Sequence, residues 1–181
     1  MVEPQAWSED RIFPGISSID QEGPALETAR NWRARGTIWT DGSRFENGNV
    51  GVACIWRTQE GWTGKRFHLD NKEAFNAKVF AIYQALKVFE AKQEAGRRYT
   101  IFSDSQPAIR RALTDALGPG HQWSRAIIEM VARAAARGNE VKLLWVPAYK
   151  GAAGNEFADG LAKEAAEGRS RDDLGHVLQT C

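Results

Sequence analysis

Three β-type segments follow one another with only turn residues between them, and this constrains the chain more than any other feature. "TIWTDGS" (37–43), "NVGVACIWR" (49–57) and "GWTGKRFHLD" (61–70) are parted by "RFENG" and "TQEG". Such short connections join neighbours as hairpins, so the three segments form an antiparallel meander. A helical pattern over 74–95 then leads to a fourth β segment, "GRRYTIFSDS" (96–105). Two further helices, Gln106 to about Leu117 and about Gln122 to Arg137, are separated by the breaker "GPG" and lead to a fifth segment, "NEVKLLWVP" (139–147). After the loop "YKGAAG" comes a final helix, "NEFADGLAKEAAEG" (155–168). Strands joined through helices run parallel, so the order predicts an α/β fold: one five-stranded mixed sheet, an antiparallel meander plus parallel strands, with helices on both faces. Residues 1–36 carry Pro4, Pro14 and Pro24 and read as an N-terminal arm or linker with one short helix; 37–168 read as the domain and 169–181 as a C-terminal tail.

Charge narrows the function classes. Lys and Arg number 24 against 23 Asp and Glu, a formal net charge of +1, so the summed field gives no general attraction to nucleic acid or anionic lipid, and any such binding needs a local patch. No apolar run approaches the ~20 residues of a membrane span, and the polar start "MVEPQAWSEDR" is no secretory signal. The expectation is an intracellular protein, nuclear or cytoplasmic, with no membrane partner. Cys54 lies within an apolar run and Cys181 is the last residue, which predicts two free thiols rather than a bridge.

The helix over 74–95 contains an anomaly. Phe75, Val79, Ile82, Leu86 and Phe89 form one apolar stripe by their spacing. Lys78 stands at the margin of that stripe, where a charge needs a partner or a route to water. Three aspartates stand where chemistry is often placed: Asp41 at the end of the first strand, Asp104 at the end of the fourth, and Asp159 in the first turns of the last helix. With strands one and four adjacent and parallel, the first two carboxylates meet at one sheet edge. An aspartate before Gly or Ser also serves as a turn or helix cap.

"TDGS", "SDSQ" and "WVPAYKGAAGNEFADGLAK" resemble the ribonuclease H family over roughly residues 37–168, and look most like the ribonuclease H domains of fungal-type non-LTR retrotransposons. The resemblance implies a ribonuclease H-like fold, four acidic residues holding two magnesium or manganese ions, and cleavage of the RNA strand of an RNA/DNA hybrid. Asp41, Asp104 and Asp159 match three of the four acids by position. It also implies a reverse transcriptase domain in the parent polypeptide. Paired divalent ions suit such chemistry because they bind the attacking and leaving oxygens of a phosphodiester displacement.

Two positions depart from the family pattern. Lys78 occupies the place of the fourth acid, a glutamate, and Tyr149 that of a loop histidine linked to product departure. An ammonium among the aspartates neutralises them and repels a metal, so poor divalent-ion affinity and weak or absent cleavage are expected. Tyrosine, with an ordinary pKa near 10, does not exchange protons at neutrality as imidazole does. By resemblance Gly42 and Ser43 match the turn where the backbone approaches a phosphate, and Ser105 and Gln106 match the residues after the second aspartate, where the glutamine reaches base edges in the minor groove; a helix N-cap explains Ser105 equally well. Arg125, Arg133 and Arg137 align along one helix as a phosphate-facing stripe or a solvated face. A non-catalytic nucleic-acid-binding module and a protein-interaction scaffold derived from a retroelement stay open as alternatives. Trp39 and Trp145 are expected in the core, and Trp7 and Trp32 as anchors of the arm to the domain or to a missing neighbour.

Overall fold

The meander forms as expected: β1 (Thr37–Arg44), β2 (Val50–Thr58) and β3 (Gly61–Leu69) pair antiparallel in sequence order. A computed structural model describes residues 22–69, 76–114, 117–118, 120–148 and 151–167, together with the backbone of 176–178. Helix α1 (Glu22–Asn31) precedes the meander. Helix α2 (Ala77–Ala91) returns the chain to β4 (Arg98–Ser103), parallel to β1, and α3 (Gln106–Ala112) and α4 (His121–Ala136) lead to β5 (Glu140–Trp145), parallel to β4. Helix α5 (Ala153–Ala166) follows. A further short strand, β6 (His176–Leu178), lies in the segment read from sequence as a tail and pairs antiparallel with β3 at Trp62–Gly64. The sheet order is β5-β4-β1-β2-β3-β6.

Side chains alternate between the two faces of the sheet, and each face has its own helices. Ile38 and Cys54 join the cluster made by α2 and α4, whereas Trp39 and Ile55 join Ala158 of α5 on the other side. The α2 stripe is buried at Val79, Ile82, Leu86 and Phe89; Phe75 lies outside the described residues. Phe80, Ala81, Ala85 and Val88 are buried as well: Phe80 and Ala81 pack with Val50 and Val52 of β2, and α4 packs on the outer side of α2. The helix is therefore a buried layer rather than a half-exposed one. Cys54 is a free, fully buried thiol that donates to the Ala81 carbonyl at 3.2 Å, and burial pushes its pKa up. It is inert for that reason.

Strand pairing also fixes where the aspartates meet. β1 and β4 pair through Thr37↔Thr100 and end at Thr40↔Ser103. The next residue on each chain is an aspartate, Asp41 and Asp104. Asp41 does not end its strand, as the sequence suggested: β1 continues to Arg44 against β2, with Asp41 opposite Ala53. Only the β4 neighbour is lost, and the two carboxylates flank the point where the parallel strands part.

Helix α5 lies unusually close to β2. A Cβ at Gly51 would strike the backbone of Ala162 and Ala166, whereas one at Gly160, on the outer side of α5, meets nothing within 4 Å. Gly51→Ala is expected to cost about 1–3 kcal/mol or more by forcing the helix off the sheet, and Gly160→Ala to add about 0.5–1 kcal/mol through helix propensity. Urea unfolding of the two variants checks the contrast; equal midpoints would disprove the close approach.

Candidate functional site

Lys78 sits in the first turn of α2, which begins beside β1. The glycine at 42 makes this possible: a Cβ there would lie 2.9 Å from that of Ala77. From this position the Lys78 Nζ donates to Asp104 Oδ1 at 2.6 Å and reaches Asp41 Oδ1 at 3.0 Å. The carboxylates are nearly inaccessible, with 3% and 7% of their side chains exposed, and the lysine retains 35%. The route to water and the partner are thus both present. Asp41 Oδ1 also accepts from the backbone N–H of Gly42 at 2.7 Å, and the Asp104 carbonyl accepts from Trp145 Nε1 at 3.2 Å. Trp145 belongs partly to the core, as expected, but its indole N–H also holds the backbone of Asp104. Its sequence position beside an apolar run gave no sign of that second role.

One ammonium between two buried carboxylates leaves a negative charge in excess. Burial, and then the neighbouring Asp104, push the Asp41 carboxyl from its ordinary 3.8 up to about 7, against the opposing pull of Lys78. Burial works against the charge of Lys78, but Asp41 and Asp104 outweigh it and hold its pKa above the ordinary 10.5. The lysine is a fixed cation, and the Asp41 carboxyl keeps its proton to a higher pH than an exposed aspartate does.

Asp159 does not join this pair. It accepts from Lys163 one turn later on α5 at 2.7 Å, an ordinary i,i+4 pairing. Among the described residues, no three His, Cys, Asp or Glu side chains assemble as a metal-binding group. A divalent ion needs oxygen lone pairs, and a charged ammonium offers only donors. The donor set at Asp41, Lys78 and Asp104 therefore does not fit a pair of divalent ions. Tyr149 lies outside the described residues.

A groove of about 530 Å³ opens beside the ammonium, and Gly42, Ser43, Lys78 and Ser105 all line it. Ser105 also caps α3, accepting from the Ala108 N–H at 3.2 Å, so the capping and groove readings of this residue coexist. Gln106 accepts from Arg110 Nη2 at 3.3 Å and is not part of the groove wall. The α4 arginines are placed elsewhere: Arg125 pairs with Glu129 at 3.6 Å, Arg133 grips both carboxylate oxygens of Glu90 at 3.2 and 3.1 Å, and Arg137 ends the helix. Groove residues that sequence reasoning passed over are Arg44, Asn76 and Arg111. Arg44 could have been found from the even spacing Gly42–Arg44 on one strand.

A family model described as RNase H matches residues 33–167. The chain belongs to the RNase H family. Members of this family generally use divalent metal ions and bind RNA/DNA hybrids. Among solved structures the chain is similar to RNase H1 from the halophilic archaeon Halobacterium salinarum NRC-1, with 22% identity over 72% of this chain and 96% of that one and a TM-score of 0.48. A search of curated proteins finds no match. The mixed sheet is that expected of an RNase H-like fold, and among the described residues no helix is long and apolar enough to cross a membrane.

The raised pKa of Asp41 in this RNase H domain has a definite pH signature. A carboxyl that holds its proton more tightly folded than unfolded stabilises the fold fully below about pH 4, and that contribution is lost as pH rises through about 7. The stability of the wild type relative to Asp41→Asn is expected to fall across that window and level off above it. Denaturant unfolding at a series of pH values measures this, and parallel curves for the two proteins would exclude it. Removing the cation is a separate test. Lys78→Met is expected to cost roughly 2–4 kcal/mol, toward the lower end because solvent reaches the ammonium.

Proposed function

We propose that residues 37–168 are a nucleic-acid-binding RNase H domain of retroelement descent, whose metal-dependent cleavage of RNA/DNA hybrids is weak or absent. The observation that carries this reading is the Lys78 ammonium at 2.6 and 3.0 Å from Asp104 and Asp41. It takes up both Oδ1 atoms, the oxygens a divalent ion would need. The pairing of Asp159 with Lys163 supports the same conclusion. Retroelement descent, with a reverse transcriptase domain in the parent polypeptide, is supported by the wording of "TDGS", "SDSQ" and "WVPAYKGAAGNEFADGLAK".

Binding can outlast cleavage here. Gly42 and Ser43 offer backbone and hydroxyl groups on one wall of the groove, Ser105 on another, and Arg44 and Arg111 add positive charge. Groups of this kind recognise a hybrid through phosphates and 2′-hydroxyls rather than base sequence. This arrangement favours the non-catalytic binding module over the interaction scaffold.

Charge reversal tests the reading. Lys78→Glu supplies a fourth carboxylate and removes the competing cation, so it should lower stability without metal while bringing saturable magnesium or manganese binding by calorimetry. Hybrid cleavage should appear or rise with it, and Asp41→Asn in the same background should abolish that gain. For the wild type, the melting temperature should stay nearly constant as magnesium is added. Saturable binding of divalent ions by the wild-type protein, or a Lys78→Glu variant that gains neither metal affinity nor cleavage, would defeat the proposal.

A further inference from the structure

At the starting end of β1, away from the parting of β1 and β4, a second and larger cleft of about 730 Å³ wraps the end of the sheet. Its charge is one-sided. Arg30, Arg33, Arg35, Arg57 and Lys92 line it, and among the described residues no Asp or Glu does, in a chain whose net charge is only +1. All five cations are exposed. Glu94 lies outside the lining, although Lys92 acts on it through space.

The cationic rim is held in place. The connector from α1 to β1 carries Arg33 and Arg35, and several contacts tie it down. Trp32 Nε1 donates to Thr37 Oγ1 at 2.8 Å, Thr37 Oγ1 donates to the Ala34 carbonyl at 2.8 Å, and the Gly36 carbonyl accepts from the Thr100 N–H at 2.8 Å. Gly36 has φ +70, and a Cβ there would lie 2.8 Å from the Arg98 carbonyl, so the turn into β1 requires glycine. Arg33 donates to the carbonyls of Arg30 and Trp32 at 2.8 and 2.9 Å. Trp32 stands edge-on to Phe102 with ring centroids 5.5 Å apart. From the opposite wall, Arg57 lies over the Trp62 ring at 5.8 Å. The half-buried Trp56 lines the cleft from the other face of the sheet, the one that α2 and α4 cover, so the cleft continues over the sheet end from one face to the other.

We infer that this cleft is a second nucleic-acid site that takes single-stranded DNA or RNA, with phosphates on Arg33, Arg35, Arg57 and Lys92 and a base against Trp56. Charge complementarity selects a polyanion. The volume is in the range that encloses one small ligand, so a short stretch of single strand enters and a duplex does not. An aromatic side chain in a cationic groove is the arrangement that binds single strands with little sequence preference. The site is independent of the carboxylate–lysine cluster. It would let the domain hold an unpaired strand while the groove beside Lys78 holds a hybrid.

The test is fluorescence anisotropy with a labelled oligothymidylate, on the full chain, across a salt series. The double variant Arg35→Glu/Arg57→Glu should bind at least about tenfold more weakly, with its salt slope reduced by about 1.4, two phosphates at ~0.7 each. Trp56→Ala should lose about tenfold, and Trp56→Tyr should recover most of it. Arg44→Glu, in the other groove, should leave strand affinity within about twofold while weakening hybrid binding, so the two sites fail separately. Melting curves confirm that each variant is folded. Wild-type affinity in the double variant would overturn the inference, as would an undetectable affinity in the wild type. If Trp56→Ala binds the strand as the wild type does, and dextran sulfate competes equally against both, the cleft is a polyanion surface without base recognition and the single-strand assignment falls.

Discussion

A single ammonium held between two buried carboxylates is the interaction on which the rest of this site depends. Two carboxylates about 5 Å apart repel by roughly 3 kcal/mol at an effective dielectric of 20, and here the sheet topology brings them together regardless. Pairing of β1 with β4 ends one residue before both Asp41 and Asp104. The side chains that follow have no strand between them, and something positive must enter the gap. In the RNase H family divalent ions can fill that need; in this chain α2 supplies Lys78 from its first turn. The cation is covalently part of the fold, so its presence does not vary with ion concentration.

That arrangement depends on close backbone approach elsewhere. Gly42 lets β1 pass the start of α2, and Gly51 lets α5 lie on β2. Gly154 meets the face of Trp39, whose ring stacks on Phe102 with centroids 4.1 Å apart. Trp32 then packs edge-on against the same Phe102. An aromatic stack therefore runs from the α1–β1 connector over one face of the sheet to α5.

The sequence made the architecture readable where periodicity was strong. Three β segments, the α2 stripe and the terminal α5 all stood out because burial requires their spacing, and Lys78 stood out because it broke that spacing. What stayed hidden arose from non-local pairing. The turn chemistry of "TDGS" suggested that β1 stopped at Asp41, but β2 supplies partners as far as Val50 and carries the strand on to Arg44. The α4 arginines looked available for phosphate because nothing in their own segment revealed Glu90 of α2 as the partner of Arg133. By contrast, the Asp159–Lys163 pair was visible at i,i+4 and competes with the metal-ligand role that the family pattern implied for Asp159.

Strand β6 bears on how the molecule behaves among its own copies. It adds three residues to the outer side of β3, at Trp62, Thr63 and Gly64. Without it, that stretch of β3 would present unpaired amides and carbonyls along a strand that carries a large aromatic, the kind of edge that templates intermolecular pairing. A segment too short to stabilise a sheet can still cap one. Its contribution is then to solubility at high concentration, by denying neighbouring molecules a place to add a strand.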